Sequence, residues 1–307
     1  MPTLEKTGHP IKGYDGPAAT ETTEETDGNN HKEKSQNPTQ ERVNRGRNPG
    51  DAYRMDEMEY ERTSLGDDHY YRTNKWLALI RSCLVEFTGD LLFVFIGTLQ
   101  ASSGQGVAGA AFAHGITIFV LIAGMGHISG GHFNPAVTLG ILVSGNIPVI
   151  SSVFYIVSQL LGGFVGSLFA RAVSGDRFVK ILGGGLTLPN ADYHPLETIV
   201  CEILLTYFLV STVLMTAVDN DSNVLAPIAI GFSILADIFA GGAISGASMN
   251  LARSFGPAIV WLIFGDDPGK AWTQFYIYPV GQLAGAVIAA LMYRLFLAKD
   301  GKRWILN

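Results

Sequence analysis

His127-Ile128-Ser129-Gly130-Gly131-His132-Phe133-Asn134-Pro135-Ala136-Val137-Thr138-Leu139-Gly140 returns, altered, as Ala243-Ile244-Ser245-Gly246-Ala247-Ser248-Met249-Asn250-Leu251-Ala252-Arg253-Ser254-Phe255-Gly256. The two stretches lie 116 residues apart and share Ile, Ser, Gly, Asn, Ala and Gly in register. The same offset pairs Glu86 with Glu202 and Gly115 with Gly231. Two acids inside apolar segments, related by one ungapped offset, mark an internal duplication. Asn134 and Asn250 are equivalent points of its halves.

Outward from these stretches, six apolar segments come near the ~20 residues that cross a bilayer. They are Leu77–Leu99, Val107–Gly126, Pro148–Ala170, Thr198–Ala217, Val224–Ala243 and Phe275–Ala298. Two shorter ones, Asn134–Val143 and Asn250–Phe264, follow Gly/Ser-rich turns and read as re-entrant half-helices. Each half of the duplication holds three spans and one half-helix. An odd number of spans inverts the second half, which brings the half-helices together near the midplane. The expected fold is therefore an all-α membrane protein of six spans and two half-helices in two inverted repeats. Repeat 1 covers about 76–171 and repeat 2 about 197–298. Gly162-x-x-x-Gly166 in the third span is matched with Gly281-x-x-x-Gly285 in the sixth, a spacing that lets helices approach closely.

Composition agrees. Residues 1–75 hold 11 of the 21 Lys+Arg and 15 of the 27 Asp+Glu, so charge is scarce in the body. The tail cannot bury enough apolar surface to fold alone and is expected to be disordered, with a short helix over 51–62. Residues 299–307 form a short C-terminal tail. No signal peptide is read, so the first apolar segment is expected to insert the protein. Arg72, Lys75 and Arg81 before the first span and Lys299, Lys302 and Arg303 after the last place both termini on the cytoplasmic side, against which Arg171, Arg177 and Lys180 fall in an outer loop. The membrane is the plasma membrane or an internal, vacuolar one. The acidic balance implies no nucleic-acid partner. Cys83 and Cys201 read as inert buried thiols.

A helix N-terminus carries partial positive charge, and Asn caps it well. Two such ends at the midplane make a positive zone whose amides can donate to a passing water. Glu86 and Glu202 are costly in lipid unless they accept hydrogen bonds from the re-entrant loops. Gln159 and Gln282 read as interhelical hydrogen-bonders. Asp90 stands one turn from Glu86 on the same face, so one of the two carboxyls is expected to be protonated or water-exposed; Asp237 has no explanation. His127 reads as packed or capping.

The motifs Asn134-Pro135-Ala136 and Asn250-Leu251-Ala252 resemble the paired Asn-Pro-Ala signatures of the aquaporin (major intrinsic protein) family, over about residues 76–298, with Leu251 in place of the second proline. The half-helix is expected to survive that change. The resemblance implies a channel for water and small neutral solutes, a homotetramer in lipid with one pore per subunit, no cofactor and no enzymatic activity. It also implies a constriction of His114, Ile238, Ala247 and Arg253, similar to tonoplast-type and aquaporin-8-like members, with hydrogen peroxide and ammonia as further solutes and protons and ions excluded. Glycerol channels of the family carry Asp after the arginine; Ser254 stands here. His132 is placed in the inner half of the pore. The long N-terminal tail resembles that of fungal members, where a tail segment caps the inner mouth; Tyr60, Tyr70 and Tyr71 are the candidate plugs. Two rivals remain at this point: an inverted-repeat secondary transporter, and a non-conducting structural membrane protein, which Leu251 leaves open.

Overall fold

The computed structural model describes residues 68–305 except Asp221, with side chains from Lys75 onward. Tyr60 and the 51–62 helix lie outside the described residues, as do the side chains of Tyr70 and Tyr71. Every regular element described is helical. In chain order they are α1 (Asp68–Leu99), α2 (Gly106–Ser129), α3 (Pro135–Val143), α4 (Val149–Ser174), the short α5 (Arg177–Lys180), α6 (Pro195–Val213), α7 (Ala226–Gly241), α8 (Leu251–Phe264) and α9 (Ile277–Met292). A π turn extends α6 through Leu214–Val218, and another extends α9 through Tyr293–Leu297.

Four of these, α2, α4, α6 and α9, are long and apolar enough to cross a membrane by length and composition. The longer α1, which carries Glu86 and Asp90, and the 16-residue α7 complete six spans. The nine residues of α3 and fourteen of α8 fall short. At 1.5 Å per residue they reach about 14 and 21 Å against a core of about 30 Å. One boundary differs from the sequence reading. Residues 68–75, assigned to the tail by composition, already belong to α1. Once a span has formed, each added residue gains a hydrogen bond without a new nucleus.

Local signals explain the ends. Pro195 opens α6 behind His194, whose side chain accepts from the Leu196 N–H at 3.2 Å, while Glu197 accepts from the His194 N–H at 2.8 Å. At the other end of α6, Asp219 accepts from the Tyr293 hydroxyl and the Lys299 N–H, both at 3.0 Å, which ties the chain after α6 to the end of α9.

The packing shows the duplication. Helix α1 lies on α4 as α6 lies on α9, and α2 crosses α7 between the halves. At that crossing a Cβ on Gly115 would sit 2.7 Å from the Gly231 carbonyl, and one on Gly231 would sit 2.6 Å from the Gly115 carbonyl. The glycine match across α4 and α9 needs correcting by one turn. Gly162 abuts the Phe87 carbonyl and Gly285 the Ile203 carbonyl, so Gly162 is the counterpart of Gly285, not Gly281. Tyr155 and Tyr278 share this register, since their hydroxyls donate to the Ser129 and Ser245 carbonyls. The offset grows from 116 to 123 because the link between α8 and α9 is longer than that between α3 and α4. Apolar side chains such as Leu84, Val120, Leu161 and Leu204 face outward, as a lipid-facing surface requires.

Candidate functional site

Asn134 and Asn250 cap α3 and α8 from extended backbone. The Asn134 Oδ1 accepts from the Ala136 N–H at 2.8 Å. The Asn250 Oδ1 accepts from the Ala252 N–H at 2.9 Å and the Arg253 N–H at 3.3 Å. Pro135 is preset for the first helical position, and Leu251 fills the same position as a good helix former. Both half-helices are formed, and the leucine leaves the cap of α8 intact.

The amides then cross between repeats. Asn134 Nδ2 donates to the Met249 carbonyl at 2.8 Å, and Asn250 Nδ2 donates to the Phe133 carbonyl at 2.7 Å. These carbonyls are presented by a shared, strained loop shape. Gly130, Gly131 and Phe133 have positive φ, and so do their counterparts Gly246, Ala247 and Met249. Three of the six are not glycine, which is costly backbone that persists only where its surroundings fix it.

Glu86 and Glu202 supply that fixing. Glu86 Oε1 accepts from the Ser129 hydroxyl at 2.6 Å and the His132 N–H at 3.0 Å. Its Oε2 accepts from the Phe133 N–H at 2.6 Å and Gln159 Nε2 at 2.8 Å. Glu202 repeats the set with Ser245 at 2.7 Å, the Ser248 N–H at 2.9 Å, the Met249 N–H at 3.0 Å and Gln282 at 3.3 Å. The next pair matches too: His132 Nδ1 lies 3.0 Å from Thr138 Oγ1, and Ser248 Oγ lies 2.5 Å from Ser254 Oγ.

One cavity, partly open to solvent, meets both asparagines. His114, Ile238 and Ala247 line it, and so does His132. At the offset of 116, the counterparts of His114, Ile238 and Ala247 are Ile230, Ile122 and Gly131, which also line it. Val137, the counterpart of Arg253, lines it as well. The repeat-related positions that line the cavity thus differ in polarity, His114 against Ile230 in particular. The His114 Nδ1 lies 2.8 Å from the Ala110 carbonyl. A carbonyl only accepts, so Nδ1 carries the proton and Nε2 is a bare acceptor. Phe93 meets the ring edge-on at 5.1 Å.

Arg253, half-buried, is held by a loop the sequence reading did not single out. Its Nη1 donates to the Gly185 carbonyl at 2.8 Å and to Thr187 Oγ1 at 2.5 Å. Gly183, Gly184 and Gly185 all have positive φ, and side chains on the last two would strike Trp261 and Thr98. Three consecutive glycines were the available signal for this close turn. Two further expectations narrow to one of their alternatives. His127 is exposed in the last turn of α2, where a basic side chain suits the helix end, rather than packed. Asp90 is fully buried, not water-exposed, with Oδ1 facing Asn250. Asp237 is buried with Oδ2 unpartnered, and nothing in the structure explains it.

Comparison with known proteins agrees with this geometry. The family model "Major intrinsic protein" matches residues 73–293. Aquaporin-8 of Notomys alexis is 39% identical over 242 residues, covering 77% of this chain and 90% of the relative. Aquaporin TIP1-2 of Musa acuminata is 41% identical over 233 residues, covering 70% and 85%. The aquaglyceroporin from Plasmodium falciparum shares the fold at a TM-score of 0.62 and 22% identity, over 70% of this chain and 95% of that one. A duplicated helical scaffold, two capped half-helices meeting across one cavity and these matches have one reading: the chain belongs to the aquaporin (major intrinsic protein) family, and is an integral membrane channel for water and small solutes rather than an enzyme.

Proposed function

We propose that the channel conducts water together with hydrogen peroxide and ammonia, and excludes protons and ions, through a constriction of His114, Ile238, Ala247 and Arg253. The observation that carries this reading is the mixed lining. His114 brings the only ring among the three cavity-lining members, while Ile238 and Ala247 bring apolar surface. Arg253 contributes a guanidinium already held by Gly185 and Thr187. A constriction sorts solutes by diameter, hydrogen-bonding groups and charge. Small neutral solutes pass an opening with apolar walls, whereas cations meet the guanidinium and two helix N-termini. Glycerol is expected to pass slowly. The tetramer in lipid and the cytoplasmic placement of both termini, in a plasma or vacuolar membrane, belong to the same proposal, as does a tail that caps the inner mouth.

The test is stopped-flow uptake in proteoliposomes with water, peroxide, ammonia and glycerol. Ile238→His narrows the opening and adds a polar wall, so the peroxide-to-water permeability ratio should fall about tenfold. An unchanged ratio would mean that the filter is placed wrongly.

A second prediction uses the back of the same histidine. A Cβ on Gly97 would lie 2.3 Å from His114 Nε2 and 2.9 Å from two ring carbons. The ring is also confined by Phe93, so Gly97→Ala should drive it toward the cavity. Water permeability should drop by about tenfold while folded yield stays near wild type, because one methyl meets a side chain and not backbone. Wild-type flux in Gly97→Ala would show that the ring yields elsewhere.

A further inference from the structure

The two asparagines are not equivalent in one respect. Asn250 Nδ2 donates to the Phe133 carbonyl at 2.7 Å and to Asp90 Oδ1 at 3.3 Å. An amide nitrogen has two N–H groups, so both are taken by protein. Asn134 Nδ2 has one acceptor, the Met249 carbonyl. At the offset of 116 the counterpart of Asp90 is Thr206. Thr206 is likewise fully buried, but its hydroxyl makes no hydrogen bond. The duplication therefore breaks at this buried position, next to the point where the half-helices meet. Space does not force the carboxylate there by default. Asp90 sits on the crowded face of α1 toward Gly162, where a Cβ would lie 3.1 Å from that of Asp90.

We propose that Asp90 is a positioning residue for Asn250, holding its second N–H away from the pore so that passing solute meets one amide donor, that of Asn134, and not two. This rests on the channel reading above. The consequence is energetic. Apart from the asparagines and the polar side chains of His114, His132 and Ser248, the cavity is lined by apolar groups such as Ile118, Val137, Leu209, Val213 and Ile234, which offer a solute no side-chain hydrogen bond. A water entering that stretch has given up its bulk partners, and each donor missing at the midpoint raises its barrier. Asp90 thus acts as a brake on throughput, applied through Asn250 and without touching the solute.

The test is water permeability per folded channel in proteoliposomes for wild type, Asp90→Val and Asp90→Asn. Valine removes the acceptor at similar size and frees the Asn250 N–H, so permeability should rise about two- to tenfold. Asparagine keeps an oxygen for that N–H, so its permeability should stay at the wild-type level. A merely structural role predicts loss, never gain, on removing Asp90. Should Asp90→Val not yield folded protein, Asp90→Ala removes the same acceptor with less bulk and carries the same expectation. Equal or lower permeability in the acceptor-free variant, or a rise in Asp90→Asn as large as in Asp90→Val, would overturn the proposal while leaving the channel reading in place. Absence of flux in wild type would overturn both.

Discussion

Glu86→Ala is expected to abolish the folded, conducting protein, and Glu202→Ala to do the same. The Glu86 carboxylate is fully buried and takes four donors: the Ser129 hydroxyl, the His132 and Phe133 N–H groups and the Gln159 amide. Alanine leaves all four without an acceptor. Each buried donor so orphaned costs about 1–3 kcal/mol. Together they rival the whole stability of about 5–15 kcal/mol that folded chains possess. The damage also reaches the pore, because the same N–H groups set the loop that presents the Phe133 carbonyl to Asn250. Glu86→Gln keeps one oxygen but turns an NH2 toward two of the donors, and should fall between wild type and alanine. Thermal unfolding and monodisperse yield in detergent measure the first effect, and liposome flux the second. Wild-type melting and flux in Glu86→Ala would mean that water replaces the carboxylate and that the anchor is dispensable.

Glu86 was legible because a carboxylate in an apolar segment has few stable fates, and because Glu202 stands at the same offset. The caps were legible for a similar reason: Asn before Pro-Ala or Leu-Ala, after a Gly/Ser turn, is local chemistry that tertiary packing does not override. What escaped the sequence depends on links of unequal length or on distant partners. The α4–α9 register slipped because the duplication is ungapped only as far as the half-helices. Arg253 finds Thr187 across 66 residues, and Asp90 finds Asn250 across 160. Neither contact lies within a repeat, so the internal offset could not predict it. His127 was half legible: of the packed and capping readings, its exposure in the last turn of α2 leaves the capping one.

Gly256→Leu should separate α8 from α4 and remove the site with it. A Cβ on Gly256 would lie 2.4 Å from the Gly163 carbonyl carbon and oxygen and 2.7 Å from the Phe164 nitrogen. From the other side, a Cβ on Gly163 would lie 2.6 Å from the Ala252 carbonyl oxygen. These neighbours are backbone, which cannot rotate aside as the tip of a long side chain can. Small residues at such a crossing let helices touch in lipid, and a branched side chain forces them apart by several ångströms, ~3 Å or more. Helix α8 carries Arg253 three residues before Gly256 and starts at the Asn250 cap. The Asn250 bond to Phe133 at 2.7 Å and the Arg253 bond to Thr187 at 2.5 Å do not survive such a shift. The expected result is loss of folded protein from membranes, with no water flux above the lipid background. Ile263→Leu, at a position of the same helix with 58% exposure, should be neutral and serves as the control. Gly256→Leu protein that folds and conducts like wild type would mean that α8 has room to move, and that the half-helix carrying Arg253 behind the Asn250 cap is not fixed by this crossing.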